Sequence, residues 1–317
     1  MFRPHGAARG PEPIQKGIMN RILVTGAAGV VGGYVADVFV DRELALTDIV
    51  AGDGIEFLDV RDAEAVRARI RDVAPDAVVH LAAATDVDGC EQDPDLAFST
   101  NAIGTQNVAL ACRESGAVLV YTSTAGVFSG DKPDPYTEFD APAPANVYGE
   151  SKLAGERIVE TLLDRFYIAR AGWMVGGGPK EKKFVGMMLR QIEDGSTHLR
   201  AVDDKFGTPT YAKDLAAGIR FLLGTDYFGL YHLVNSGGSC SRYDVAVAIC
   251  DLIGRHDVTV EPVSSAFFPL PAARARSEAM VNYKLQLLGI DPMRPWREAL
   301  STYVVDELGA AVRLGRS

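Results

Sequence analysis

The sequence predicts an α/β fold built on a doubly wound parallel sheet, and three observations carry that prediction. Short, near-continuous apolar runs recur through the first half of the chain, helical patterns separate them, and a glycine-rich turn follows the first run. Strands that are apolar on both faces belong in a parallel sheet covered by helices on either side. The 317 residues exceed the usual size of one domain and suffice for a large core. Apolar residues make up 47% and charged residues 23%, as in ordinary globular chains. No apolar run reaches the roughly 18 residues that cross a bilayer, so no membrane partner is expected. The net charge of -10 argues against a nucleic-acid partner. Four cysteines lie far apart with no C-x-x-C, and the N-terminus lacks a signal-peptide apolar core. A reduced, cytoplasmic setting follows, with neither a disulfide framework nor a zinc site.

Residues 1–19 carry Gly10, Pro11 and Pro13 with no hydrophobic period and read as a flexible extension, or as a start upstream of a true one at Met19. The expected strands are Ile22 to Thr25, Ile49 to Ala51, Ala77 to Leu81, Val118 to Tyr121 and Tyr167 to Ala169. Helical spacing and capping residues place helices over Ala63 to Val73 and Asn101 to Glu114. Regularity breaks at Gly176 to Lys183, a loop too flexible and too charged for the sheet. A helix returns at Ala212 to Leu223, and Leu230 to Val234 can rejoin the sheet as a further strand. Pro262 to Pro271 reads as an ordered surface loop and Trp296 to Leu308 as a closing helix. The division expected is residues 20–172 and 206–236 for the sheet domain, and 173–205 and 237–317 for a smaller, discontinuous region.

Gly26, Gly29 and Gly32 follow the first strand and open a helix. Glycines there let the turn close and the backbone approach a pyrophosphate, with helix N–H groups aimed at the anion, the Rossmann-like arrangement. Ala28, Val30 and Val31 share that loop. Asp53, past the second strand, can bond a ribose diol and repel a 2′-phosphate, or simply form a turn between Gly52 and Gly54. Asp59 and Val60 can flank an adenine, a loop aspartate being the alternative. Leu81, Ala82 and Ala83 end a strand with small residues that allow a cofactor close to the backbone. Tyr148 and Lys152 stand at i and i+4 on one helix face, where an ammonium can draw the phenol pKa down from about 10. Thr124 supplies a hydroxyl past the fifth strand. The histidines do not pair at ligand spacing, and no metal site is expected.

Glycine loop, post-strand hydroxyl and Tyr-x-x-x-Lys together resemble the extended short-chain dehydrogenase/reductase superfamily. The blocks Thr85 to Glu91, Asn146 to Glu156, Arg170 to Trp173, Asp204 to Thr210 and Pro269 to Arg274 resemble, within it, the dTDP-4-dehydrorhamnose reductase family, from Arg21 to about Leu308. The resemblance implies reduction of a 4-keto-6-deoxy sugar on a nucleoside diphosphate with NADPH or NADH, and a homodimer is compatible with it. It assigns Thr124 to the keto oxygen, Tyr148 to the proton, Lys152 to the nicotinamide ribose, Asn101 to the cofactor site, and Thr85, Trp173 and Arg274 to the substrate. Core packing explains Trp173 equally well, and a solvated turn explains Arg274 and Arg276 as well as a diphosphate clamp does. Lys180 to Lys183 is either a lid or an exposed loop.

The chain departs from the family pattern at Ala84, where a histidine is usual, at Ala273, and at Ala125 and Gly126, which replace larger residues. The last two predict a pocket widened beside Thr124 and a bulkier 4-keto sugar, unless the Gly176 to Lys183 loop fills the space. An epimerase recycling tightly held NAD is the nearest alternative, and a non-catalytic regulatory subunit, like the methionine adenosyltransferase beta subunit, is the alternative of another class.

Overall fold

The computed structural model describes residues 19–310 except 179, 180 and 182. The extension expected over residues 1–19 therefore lies, Met19 apart, outside the described residues, as do parts of the 176–183 loop.

Six strands come first: β1 (Arg21–Thr25), β2 (Glu43–Asp48), β3 (Ile55–Phe57), β4 (Ala77–His80), β5 (Val118–Thr124) and β6 (Phe166–Ala171). Between them run α1 (Val35–Val38), α2 (Ala63–Val73), α3 (Val87–Gln92), α4 (Pro94–Phe98), α5 (Thr105–Ser115) and α6 (Val147–Leu162). The remainder comprises β7 (Trp173–Val175), α7 (Phe184–Glu193), β8 (His198–Val202), β9 (Phe206–Gly207), β10 (Pro209–Tyr211), α8 (Ala212–Leu223) and β11 (Gly229–His232). It ends with β12 (Cys240–Ser241), α9 (Arg242–Leu252), β13 (Thr259–Val263), β14 (Ser277–Glu278), α10 (Tyr283–Leu288) and α11 (Trp296–Ser301).

Seven strands form one parallel sheet in the order β11-β6-β5-β4-β1-β2-β3. Alternate residues serve opposite faces: Ile22 and Val24 join a core with Val79, Val120 and Leu215, whereas Leu23 packs with Val78, Leu119 and Ile70 on the other side. Each such buried side chain contributes roughly 1.5–3 kcal/mol, which is why these strands are apolar throughout. β2 lies on one side of β1 and β4 on the other, so the chain reverses its direction of winding there. A crevice opens above the carboxyl ends of strands at such a reversal. A further core, built from α7, α9, α11 and β8, carries Met188, Ile249, Leu300 and Leu199 and covers that end of the sheet.

Two sequence expectations shift. The second strand is Glu43–Asp48, because Leu44, Ala45 and Leu46 pair in register with Ile22, Leu23 and Val24. Ile49 and Val50, expected inside it, are 54% and 63% exposed. The loop expected over Pro262 to Pro271 begins inside β13, which pairs with β8.

Candidate active site

One trough of about 930 Å³ crosses the carboxyl end of the sheet. At one end the loop after β1 contributes Gly26, Ala28, Gly29, Val30 and Val31. Gly26 has φ 76, and a Cβ there would run into the backbone of Leu81 and Ala82, so the loop and β4 approach too closely for any side chain. Leu81, Ala82 and Ala83 form the opposite bank, and Thr85, Asp59 and Val60 line the wall.

Asp53 does not reach the trough. It sits with φ 50 at the tip of a turn closed by Gly52 and Ile55, which corrects the expectation that it meets a ribose. The carboxylate at that place is Asp48, the last residue of β2. Its Oδ2 accepts the Ala28 N–H at 3.0 Å and its Oδ1 the Val50 N–H at 2.9 Å. The strand shift is the reason, since the true strand end falls five residues before Asp53. Asp59 lines the trough but carries Arg61 on both carboxylate oxygens, which holds its pKa below the usual carboxylate range.

In the middle stand Thr124, Tyr148 and Lys152. Thr124 ends β5, and its Oγ1 accepts the Gly126 N–H at 3.1 Å. Asn146 caps α6 by accepting the Gly149 N–H at 2.9 Å, which places Tyr148 in the first turn, facing Thr124. Gly149 admits no side chain because a Cβ would strike the Gly126 carbonyl. Burial pushes the Tyr148 phenol up to about 12, opposed by hydrogen bonding with Thr124. Lys152 is buried, with its Nζ 4.2 Å from the centre of the Tyr121 ring. Burial lowers it to about 7, and the Glu156 carboxylate works the other way. For the phenol, removal from water outweighs the hydrogen bonding with Thr124. Thr122 Oγ1 and Ser123 Oγ beside them are buried without a partner, as suits a site that receives a polar ligand.

Asn101 lies behind the trough, not in it. Its side chain accepts the Ala84 N–H at 2.8 Å and donates to the Ala84 carbonyl and to Ser151 Oγ, bracing β4's end against α6. Trp173 does line the trough, with Nε1 donating to Glu278 at 2.7 Å. Arg274 also reaches it, but Nη2 donates to Asp88 and Nη1 to the Ala272 carbonyl. Ala125 and Gly126 border the trough, and the Gly176–Gly178 stretch packs against Val30 and Tyr34, not beside them. Among the described residues no three His, Cys, Asp or Glu cluster as a metal site.

The trough therefore joins a dinucleotide-type loop, a phenol, a hydroxyl and an ammonium in one continuous space. A family model described as RmlD substrate binding domain matches residues 19–308. The chain belongs to that family. This RmlD-family member is 38% identical over 288 residues to a dTDP-4-dehydrorhamnose reductase of Streptomyces griseus, covering 89% of this chain and 92% of the other. It is 37% identical over 298 residues to the reductase of that name from Mycobacterium tuberculosis, covering 90% and 93%. The crystal structure of the Bacillus anthracis dTDP-4-dehydrorhamnose reductase in complex with NADP superimposes with a TM-score of 0.83 at 35% identity, over 90% of this chain and 99% of that one.

Among the trough residues of this RmlD-family chain, sequence reasoning passed over Asp48, Glu278 and Arg242. Asp48 was legible as the aspartate after an alternating Leu-Ala-Leu-Thr strand. Glu278 and Arg242 had no local signal, since only the folding back of β14 and α9 brings them to Trp173.

Proposed function

We propose that the chain reduces the 4-keto group of a 6-deoxy sugar carried on thymidine diphosphate, with NADPH or NADH as reductant. The carrying observation is that Thr124, Tyr148 and Lys152 meet midway along a trough whose one end is the Gly26–Gly32 loop. The likeness to reductases along nearly the whole chain supports the choice of sugar nucleotide. Gly26, Ala28, Gly29, Val30 and Val31 would hold the dinucleotide, with Asp48 at its ribose, and bound reduced nicotinamide would supply the hydride.

As negative charge grows on the keto oxygen, Tyr148 gives up its phenolic proton and the Thr124 hydroxyl donates a hydrogen bond to the same atom. A phenol held near 12 keeps its proton at neutral pH, which suits reduction. Lys152, in its charged form, offers donors to the ribose and stabilises the phenolate that Tyr148 becomes. Thr85 and Trp173 lie where the sugar would rest, and the small Ala125 and Gly126 leave room for a substituted ring. The cytoplasm and a homodimer complete the proposal. Four unpaired, buried thiols support the first, and sedimentation of the purified chain decides the second.

The test is to incubate the protein with NADPH or NADH and a panel of dTDP-, UDP- and GDP-4-keto sugars, including branched and aminated rings, following loss of nicotinamide absorbance and identifying the product. Consumption with a dTDP sugar supports the reading. Isomerised sugar without net cofactor consumption would assign an epimerase, and cofactor binding with no turnover on any member would leave a regulatory subunit.

A further inference from the structure

We propose that Arg242 and Lys183 form a cationic wall that grips the diphosphate of the nucleotide sugar, an inference that rests on the reductase reading above. Both line the trough. Arg242 opens α9, and its guanidinium stacks 3.8 Å from the Trp173 ring centre and 5.2 Å from that of Phe184. Lys183 directly precedes α7. Neither side chain has a hydrogen-bond acceptor or an ion-pair partner among the described residues.

Glu278 and Glu181 attract Arg242, and Glu181 and Asp86 attract Lys183, through charge alone, and none of them makes an ion pair or hydrogen bond with either cation. Glu278 Oε2 accepts from the Trp173 indole, and Glu181 Oε2 from the Tyr303 hydroxyl at 2.7 Å. Lys152 apart, the other cations of the trough are engaged. Arg61 is held by Asp59, Arg274 by Asp88 and the Ala272 carbonyl, and Lys205 donates to the Arg274 carbonyl at 2.7 Å. The clamp that the sequence placed at Arg274 is thus already occupied from within.

Arg242, half-buried with unspent donors, is costly unless an anion joins it, and Lys183, more open to water, lines the same trough. Their proximity registers on Lys183, which burial and then the Arg242 charge hold below its usual range. A planar guanidinium matches phosphate oxygens in pairs, while an ammonium adds a point charge. The location fits a nucleotide sugar as well. Thr124 pairs in register with Ala171, and Trp173 is two residues further on. A ligand with its keto carbon at Thr124 and Tyr148 that extends over Trp173 carries its diphosphate to Arg242.

Titration calorimetry of dTDP into the full chain, with NADPH present, tests this, alongside Arg242→Gln, Arg242→Lys and Lys183→Gln. Arg242→Gln should weaken dTDP about 10- to 100-fold, the worth of hydrogen bonds to a charged group. Arg242→Lys should recover part of that loss, and Lys183→Gln, at an exposed position that does not endanger folding, should weaken dTDP several-fold. NADPH affinity, measured by the same method, should stay within about twofold of wild type, and added salt should weaken dTDP less in Arg242→Gln than in wild type. Wild-type dTDP affinity in folded Arg242→Gln would reduce Arg242 to packing against Trp173 and overturn the proposal. Should Arg242→Gln fail to fold, unchanged affinity in Lys183→Gln overturns it instead. Wild-type protein that binds NADPH but neither dTDP nor UDP would defeat the nucleotide-sugar reading itself, a different failure from that of the wall.

Discussion

Tyr148, with desolvation holding its phenol up at about 12, keeps its proton at neutral pH, and the proposed reaction needs that proton at the keto oxygen. Tyr148→Phe removes the hydroxyl and keeps the ring. We expect kcat to fall at least about 100-fold with cofactor affinity within a few-fold, and residual activity above about a tenth of wild type would remove Tyr148 from the proton-donor role. A second residue-level contest lies at the end of β2, where Asp48 presents a carboxylate to the trough while Arg61, the cation on that side, turns Nε and Nη2 to Asp59. A 2′-phosphate would meet net negative charge there, whereas a free diol would find an acceptor. NADH should therefore bind at least as well as NADPH, and Asp48→Ala should move the ratio of dissociation constants toward NADPH by about tenfold, read by nicotinamide fluorescence. A strong NADPH preference unchanged by Asp48→Ala would show that Asp48 does not read the ribose.

The elements hold these residues in place, and the tightest joint is between α6 and β6. Glu156 accepts Arg170 Nε at 2.8 Å and Nη2 at 2.6 Å with both side chains almost wholly buried. Removing one partner strands the other's charge, so Glu156→Gln should cost about 3–5 kcal/mol in denaturant unfolding, while Glu156→Gln with Arg170→Met should recover much of it. A stable single variant would mean that the pair contributes little. The same carboxylate, one turn beyond Lys152, raises the lysine's pKa against the larger effect of burial. The charged lysine is the working form, so activity present at low pH is lost as pH rises through that pKa. Without Glu156 the pKa falls, and the high-pH limb of kcat/KM should move to lower pH in both variants. At this scale the sequence was legible where one segment decides its own structure. The helix Ala63–Val73 is local, set by the spacing of its apolar residues and by Asp62, which accepts the Ala65 N–H. The second strand was misread because its half-buried Leu-Ala-Leu alternation looked weaker than the apolar Ile49-Val50, whose exposure at the trough edge only the pairing with β1 reveals.

Across the whole molecule the informative contacts join segments far apart in the chain, which is why neither the Arg242 stack nor the network around Glu307 could be read from spacing. Glu307, at the end of the helical turn Thr302–Glu307, accepts the Tyr34 hydroxyl at 2.6 Å on one oxygen and the Tyr211 hydroxyl on the other. Tyr34 follows the glycine loop, and its hydroxyl also accepts the Gly177 N–H at 2.8 Å. Gly177 in turn rests against Val30 of that loop. One carboxylate thus ties the turn Thr302–Glu307 to the cofactor loop and to the start of α8. The Tyr34 and Tyr211 rings are 8% and 2% exposed, so Glu307→Ala leaves two hydroxyls without this acceptor in a poorly hydrated place. Stability should drop by about 1–3 kcal/mol in denaturant unfolding. The loop, less firmly held, should bind cofactor several-fold more weakly while kcat at saturating cofactor stays near wild type, since Thr124, Tyr148 and Lys152 are untouched. Adding Tyr34→Phe and Tyr211→Phe removes the stranded hydroxyls, and this triple variant should regain part of the stability without regaining cofactor affinity, because Tyr34→Phe also takes the acceptor from the Gly177 N–H. If Glu307→Ala loses stability but binds cofactor like wild type, the network is a structural strut with no hold on the glycine loop.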